Sequence, residues 1–341
     1  MNGDSTPHAR TSSAANQAGS FSFFPMKPAL SYEEQARRMR DRGLVIEDED
    51  EAVAWLSDMN YYRLRGYWIT LERDGRFLPG TTLADIQEIY RLDRDLRLWM
   101  WHAIGPIEIK ARTSFAYHLG RACGPLAHRM PGLFSNGKAH ARSMNGYAKE
   151  LARAERDGVP CVVHNLRKYG DLPVWAAVEI MSMGTVSQLY GNLSDRASYP
   201  DGMTVARAIA RDFDIKPFLL KSWLRHLTYI RNLCGHHSRI YNRVMTTRAT
   251  LLRSDSRYDG PKAFATVITL KRMYERLWPD EWVSLSDDLV CLADSHPPVS
   301  LDPMGFPDGW RAAIREGRYR GPGLAAYHDP HNHDPDPDNA A

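Results

Sequence analysis

The stretch that decides the fold is Tyr229-Ile230-Arg231-Asn232-Leu233-Cys234-Gly235-His236-His237-Ser238-Arg239-Ile240-Tyr241-Asn242-Arg243. It continues a helical run that begins near Lys216. Apolar residues recur there at spacings of three and four, which predicts one apolar stripe along a helix. The stripe contains Leu220, Trp223, Leu224, Leu227, Ile230 and Cys234, and it extends to His237, Tyr241 and Val244.

A second line of residues with the same spacing is entirely polar. It consists of Arg225, Thr228, Asn232, His236, Arg239 and Arg243. The two lines predict a helix with one face for a core and one face for an anion. Arg231 lies beside both lines, about 140° from His236 on an ideal helix. The long arginine side chain can span this angle, so the geometry permits Arg231 and His236 to reach one phosphate but does not force it.

Arg231 and His236 also form an Arg-x4-His pattern, with Asn232 directly after the arginine. This pattern resembles the signature of the HEPN superfamily of RNases. The longer run from Arg231 to Arg243 resembles the RN-x-x-x-HH-x-R-x-x-N-R pattern of abortive-infection proteins of the AbiD/AbiF type. The short pattern occurs by chance in many proteins, whereas the longer run is specific.

Other segments resemble the same family, so the resemblance covers about residues 28 to 280. One is Asn60-Tyr61-Tyr62-Arg63-Leu64-Arg65-Gly66-Tyr67-Trp68, in which aromatic and basic residues alternate. Another is LPVWAAVEIMSMGTVSQLY, residues 172–190. The mixture in the first segment can stack bases and hold phosphate, but packing at a domain junction is the commoner use of such a segment.

Two acidic residues in a long helical stretch precede arginines by four positions. Asp93 is followed by Arg97, and Glu108 by Arg112. Asp93 falls on an apolar stripe, where a charge is costly unless it is paired, and a residue four positions away is its natural partner. Structural ion pairs that fix helix packing and a catalytic role are equally compatible with this pattern.

The chain is predicted to be all-α, a multi-helix HEPN-like bundle with additional N-terminal helices and disordered termini. Ser31 with Glu34 and Thr82 with Asp85 form capping boxes that predict helix starts, and Gly105-Pro106 predicts a kink or break. The predicted regions are a disordered tail (1–27), an N-terminal helical region (28–120), a variable middle segment (121–170), a HEPN-type helical region (171–285), and a Pro-rich irregular region with a disordered tail (286–341).

Composition excludes several classes of protein. The 43% hydrophobic and 25% charged residues are typical of a soluble globular chain, and the net charge of +3 is uninformative alone. Four scattered cysteines without a C-x-x-C pair argue against a zinc ribbon or a redox motif. No apolar run has membrane length and no signal-peptide layout is present, so we expect a cytoplasmic protein without a membrane partner, metal or cofactor.

The predicted chemistry is RNA cleavage without a metal. Histidine suits proton transfer because its ordinary pKa is about 6.5, and arginine stabilises the charge that spreads over the phosphorane. We assign Arg231, Asn232 and His236 as the catalytic residues. His237, on the apolar stripe, is predicted to be packed and hydrogen-bonded, and it is grouped with the residues that contact RNA or support the site. Arg225 joins the candidate RNA contacts, and Arg239, Asn242 and Arg243 fit phosphate contacts and supporting roles equally well.

One copy of the motif supplies one histidine, and the resemblance implies that two copies meet in a homodimer. The leading hypothesis is therefore a homodimeric, toxin-like endoribonuclease acting in phage defence, with RNA as substrate. A regulatory non-coding RNA and an unknown antitoxin are possible further partners. The alternatives are a non-catalytic module that holds a structured or guide-like RNA, and a purely structural dimerisation bundle. Cleavage assays with purified protein, labelled RNA and EDTA separate these functions.

Overall fold

The computed structural model describes residues 28–316, so the N-terminal tail (1–27) and the C-terminal tail from Gly321, both predicted to be disordered, lie outside the described residues. The described chain is helical almost throughout. Its helices are α1 (Tyr32–Asp41), α2 (Glu49–Asp58), α3 (Tyr61–Trp68), α4 (Leu83–Cys123), α5 (Gly137–Arg156), α6 (Pro160–Tyr169), α7 (Val174–Ile180), α8 (Met183–Gly191), α9 (Val205–Asp212), α10 (Pro217–Gly235), α11 (Ala263–Leu277), α12 (Pro279–Asp294) and α13 (Trp310–Arg315). The prediction of an all-α fold is confirmed.

Short non-α elements connect some of these helices. Strands β1 (Glu72–Arg73) and β2 (Arg76–Phe77) form a hairpin between α3 and α4. Its turn residues Asp74 and Gly75 both have positive φ, as a two-residue type I′ turn requires. The 3₁₀ helices are Ala127–Arg129, Pro131–Leu133, Arg253–Tyr258 and Asp302–Met304.

The 41-residue helix α4 is the element around which the others pack. It contacts α3, α7, α8, α9, α10 and α12. Pro106 lies inside it, so of the predicted kink or break at Gly105-Pro106 the break is wrong and the kink stays a prediction. A proline inside a helix costs about 3 kcal/mol. Burial of the neighbouring Ile104 and Ile107 in the core offsets this cost, because both side chains are fully buried.

Both predicted capping boxes are present. The Ser31 hydroxyl accepts a hydrogen bond from the Glu34 backbone N–H at 3.2 Å, and the Glu34 carboxylate accepts one from the Ser31 N–H at 2.7 Å. Thr82 and Asp85 make the same reciprocal pair at the start of α4. These bonds satisfy N–H groups that the first turn of a helix leaves without partners, so they fix where α1 and α4 begin.

The C-terminal part of the described chain corrects the prediction of an irregular region from residue 286. Residues 286–294 belong to α12, and α13 follows. Pro279 stands at the first turn of α12, where its missing N–H costs nothing and its fixed φ favours a helix. The Trp99 indole donates a hydrogen bond to the Leu285 carbonyl at 2.9 Å, which joins α12 to α4.

A buried histidine makes stability depend on pH. His128 is fully buried, and neither ring nitrogen has a hydrogen-bond partner among the described residues. Burial, and next the nearby Arg129, lower the pKa of His128 to about 4. Below its unfolded pKa of about 6.5, the unfolded chain therefore binds a proton that the folded chain excludes. Stability is fully present above that pH and is lost as pH falls towards 4.

We expect the free energy of unfolding to fall by about 2 kcal/mol from pH 7 to pH 5 because of His128. The measurement is urea unfolding at both pH values. The variant His128→Phe cannot take up a proton at this position. Its free energy of unfolding should therefore fall by about 2 kcal/mol less than that of the parent. An identical fall in the variant and the parent would assign the pH dependence to other groups.

Candidate active site

The helix that carries the predicted motif ends earlier than its periodicity predicts. α10 ends at Gly235, and His237 adopts a left-handed conformation with φ +53°. The His237 N–H donates to the Cys234 carbonyl at 3.0 Å, and the Ser238 N–H donates to the Leu233 carbonyl at 2.8 Å. This pair of bonds is a Schellman motif, which stops a helix and turns the chain away from its axis.

The prediction that the apolar stripe and the polar line continue along a helix beyond His236 is therefore wrong. His236 is the C-terminal cap of α10, and Arg239, Tyr241 and Arg243 lie in the loop that follows. Asn232 and His236 remain one turn apart, because the His236 N–H still donates to the Asn232 carbonyl at 3.0 Å. Both residues are exposed, so their side chains are accessible to a substrate.

His237 is also exposed, which corrects the prediction that it is packed in the core. The prediction extended the apolar stripe along a helix that has already ended. The backbone of His237 contacts the rest of the fold, because its carbonyl accepts a hydrogen bond from the Arg63 guanidinium of α3. A positive φ is uncommon outside glycine, although histidine is among the residues that adopt it more readily.

Arg231 is held between a carboxylate and an aromatic ring. Its Nε donates to Glu108 Oε2 at 3.3 Å, and its guanidinium carbon lies 4.8 Å from the centre of the Trp101 ring. The same ring lies against Gly235, where a Cβ atom would come within 3.0 Å of Trp101. The Arg231 side chain is 36% exposed, so the guanidinium is held in position and is still accessible.

The predicted ion pair Glu108–Arg112 is present and positions Arg231. Arg112 donates to the Glu108 carboxylate and also to the carbonyls of Val178 and Met181. These carbonyls lie at the C-terminal end of α7, where a helix leaves acceptors without partners and favours a cation. Arg112 thus ties α4 to α7, and the Glu108 carboxylate that it holds contacts Arg231.

The second predicted ion pair, Asp93–Arg97, lies in the core. Asp93 is fully buried and accepts four hydrogen bonds, so its charge is compensated. One oxygen accepts from the Tyr67 hydroxyl at 2.8 Å and from Arg97, and the other accepts from the Ile240 and Tyr241 N–H groups at 2.8 and 2.6 Å. Asp93 thereby fastens the loop after α10 to α3 and α4.

Arg239 and Arg243 stabilise this loop through its own carbonyls. Arg239 donates to the Tyr241 carbonyl, and Arg243 donates to the Arg239 carbonyl at 3.2 Å. Arg239 also lies directly on Gly66 of α3, where a Cβ atom would come within 2.6 Å of its Nε. Burial lowers the pKa of Arg239. Of the two roles left open for these arginines, the contacts match support of the loop.

Asn242 is supported by a residue that the sequence did not indicate. Asn242 has a positive φ of 50°, and Lys262 Nζ donates to its side-chain oxygen at 2.7 Å. Burial, and next the nearby Arg239, lower the pKa of Lys262. Trp101 and Arg63 are further residues whose contacts with the motif the sequence did not indicate. Lys262 and Trp101 carry no motif signal, and Arg63 lies in the aromatic and basic segment from Asn60 to Trp68, but each of the three meets the motif only through the fold.

Arg225 lies apart from these supports. It is exposed on α10, seven residues before Asn232, and thus on the same face of the helix. The accessible polar groups are therefore Arg225, Arg231, Asn232, His236 and His237, whereas Arg239, Asn242 and Arg243 are engaged in the loop. Arg225, Asn232 and His236 share one face of α10, which presents a cation, an amide and an imidazole together and suits an anionic substrate.

The chain belongs to the Abi-like protein family, whose family model matches residues 54–242. The match begins in α2 and ends at Asn242, so it includes Asp93, Glu108 and the end of α10. Membership of this family points to abortive-infection defence. Comparisons with curated proteins and with solved structures find no match.

Between residues 28 and 316, no helix combines the length and the apolar character needed to cross a membrane. Over the same range, no three histidine, cysteine or acidic side chains are grouped so that they could hold a metal ion.

Proposed function

We propose that this protein is a metal-independent endoribonuclease whose catalytic residues are Arg231, Asn232 and His236. The observation that carries the proposal is an exposed imidazole at the end of α10, a little more than one helical turn after an arginine whose guanidinium Glu108 and Trp101 hold in place. A group that is fixed and accessible needs little reorganisation when charge develops on a bound phosphate.

The chemistry is a transesterification within the RNA strand. A base removes the 2′-hydroxyl proton, the 2′-oxygen bonds to the adjacent phosphorus, and the bond from phosphorus to the 5′-oxygen breaks. An acid delivers a proton to that leaving oxygen, so the products carry a 2′,3′-cyclic phosphate and a 5′-hydroxyl. His236 serves as base or acid, Arg231 stabilises the charge on the phosphorane, and Asn232 donates to the phosphate or orients His236.

A second copy of the chain supplies the second histidine in this proposal. Trp101 belongs to an exposed apolar stripe on α4 that also contains Leu98, Ile109 and Tyr117, each at least 43% exposed. Their positions span an arc of about 160° on an ideal helix, with Leu98 and Ile109 near its centre. An apolar face of this kind favours association, and Trp101 places it directly beside Arg231. We propose this face as the interface of a homodimer.

The variant Ile109→Asp should convert the dimer to a monomer and remove most of the cleavage activity, because it places a charge at the centre of the interface. Sedimentation at micromolar concentration and cleavage of labelled RNA measure the two effects. The matched control is Val283→Asp, another exposed aliphatic residue on a helix, at 49% exposure on α12. A fully active monomer would contradict the need for a second copy.

The experiment that tests the proposed function is cleavage of labelled RNA by the purified protein in excess EDTA. We expect activity to persist and the new ends to be 2′,3′-cyclic phosphate and 5′-hydroxyl. An absolute requirement for Mg²⁺, or 3′-hydroxyl products, would rule out the mechanism. RNA that is bound but not cut would instead support a module that holds RNA without cleaving it.

In its cellular role, such a nuclease would act in abortive infection by cutting RNA after phage entry. A regulatory RNA or a protein antitoxin would hold it inactive until then. This role rests on membership of the Abi-like family. Induced expression of the parent and of His236→Ala in bacteria, with and without phage, measures toxicity and protection together.

A further inference from the structure

Helix α5 carries a line of exposed basic side chains that the proposed site does not include. Lys138, Arg142, Lys149, Arg153 and Arg156 are all exposed, and Asn145 completes the line. At 100° per residue these positions fall within an arc of about 80°, and at 1.5 Å per residue they extend about 27 Å. We call this line the α5 basic stripe.

The opposite face of α5 is buried. His140, Ser143, Tyr147 and Ala154 face the core, and they lie about 150° around the helix from the centre of the stripe. Because the core side is fixed by this packing, the basic side is held towards solvent along the whole helix. A rigid, straight line of charge therefore results, which differs from basic residues scattered over a mobile loop.

Acidic residues neutralise only one end of the stripe. Arg153 pairs with Glu150 at 2.8 Å, and Arg156 lies 3.7 Å from Asp157. Within residues 28–316, Lys138, Arg142 and Lys149 make no ion pair with an acidic side chain. The excess positive charge therefore lies towards the N-terminal half of α5.

A chain of close contacts leads from the α5 basic stripe to α10. A Cβ atom on Gly146 of α5 would lie 3.9 Å from the Thr185 hydroxyl, which itself lies 3.1 Å from the Ser182 hydroxyl. A Cβ atom on Gly184 would lie 3.6 Å from the methyl group of Thr228. Thr228 precedes Asn232 by one turn of α10, so hydroxyl groups at the start of α8 lie between the stripe and the proposed site.

The composition of the stripe favours a nucleic acid over a protein partner. Protein interfaces have an apolar or aromatic centre, and no large apolar side chain of α5 is exposed. Phosphate backbones are instead bound by lysine and arginine side chains together with hydroxyl donors. A line of cations about 27 Å long that approaches a site for RNA chemistry fits the backbone of the same RNA.

We infer that the α5 basic stripe binds the phosphate backbone of the RNA substrate on one side of the cleavage site. The inference rests on the proposed function for the identity of the substrate. It adds the direction in which the strand leaves the site, from His236 past Ser182 and Thr185 and along α5. Because these contacts go to phosphates, they contribute affinity without base specificity.

The test compares two triple variants of the full chain that lose the same charge. One is Lys138→Gln/Arg142→Gln/Lys149→Gln on α5. The control is Arg40→Gln/Arg91→Gln/Arg315→Gln. Each of these substitutions removes an exposed arginine from an ion pair elsewhere on the surface. The probe is a fluorescent 2′-O-methyl RNA, which has no 2′-hydroxyl to attack, so binding is measured without cleavage.

We expect the α5 variant to bind RNA at least about tenfold more weakly at low salt. The slope of log affinity against log salt should also become shallower by about two, because each of the three lost phosphate contacts contributes about 0.7. The control should bind like the parent. Lys138→Arg/Lys149→Arg, which keeps the charge, should also bind like the parent. Equal weakening in both triple variants, or none in the α5 variant, would overturn the inference.

Cleavage of unmodified RNA separates this inference from the proposed function. The α5 variant should raise KM and leave kcat unchanged, because the stripe lies away from the reacting atoms. If the parent binds the 2′-O-methyl probe through α5 but cuts no RNA, the proposed nuclease fails and the stripe stands. If the parent cuts RNA and the α5 variant has the parental KM, the nuclease stands and the stripe fails.

Discussion

Replacing His236 by alanine is expected to reduce the rate of RNA cleavage about 10²–10⁴-fold, the usual contribution of a general acid or base. The melting temperature should stay unchanged, because the His236 side chain is exposed and caps α10 through its backbone. Single-turnover cleavage with excess protein measures the chemical step, and a thermal melt measures stability. Cleavage at the parental rate would remove His236 from the mechanism.

Two controls distinguish His236 from other exposed histidines. His164→Ala changes an exposed histidine of α6 and should keep full activity. His237→Gly should also cut RNA, and it should be at least as stable as the parent because glycine adopts a positive φ without strain. An inactive, folded His237→Gly beside an active His236→Ala would exchange the roles of the two residues.

Replacing Asp93 by alanine is expected to lower the free energy of unfolding by about 3–5 kcal/mol, as when one partner of a buried ion pair is removed. The change leaves the buried Arg97 without its carboxylate and the N–H groups of Ile240 and Tyr241 without their acceptor. Urea unfolding measures the loss. Cleavage should fall as well, because this loop follows His236 directly.

The matched control for Asp93 is a carboxylate of equal charge on the surface. Asp294→Ala breaks a pair with Arg311 in which both side chains are about half exposed, and such pairs contribute about 0–1 kcal/mol. A similar loss in both variants would show that Asp93 contributes no more than an ordinary surface charge. A large loss in Asp93→Ala alone supports its role as the anchor of the loop.

Several features could be predicted from the sequence because they depend on residues close together in the chain. The capping boxes at Ser31 and Thr82 close within three residues, and the Asp93–Arg97 and Glu108–Arg112 pairs span four. Helical periodicity predicted the core face of α10, where Leu220, Trp223 and Ile230 are fully buried. Local backbone geometry alone brings such residues together, so the all-α class and the pairings follow from spacing.

Periodicity misplaced the end of α10, because nothing in the apolar spacing changes at Gly235. The helix stops where it does because the following loop is held by distant residues. Asp93 binds Ile240 and Tyr241, which lie 147 and 148 residues away, and Arg63 binds the His237 carbonyl 174 residues away. These contacts keep His237 in a left-handed conformation that a free helix would not adopt.

The sequence by itself determined which residues are proposed to act on a phosphate, since Arg231, Asn232 and His236 are picked out by the motif alone. The tertiary structure decided which polar groups are available. In the folded chain, Arg239 and Arg243 donate hydrogen bonds to carbonyls of the loop, whereas His236 is exposed. The physical reason is that most buried donors and acceptors are paired in a folded protein, and for this loop the partners come from helices far apart in the chain.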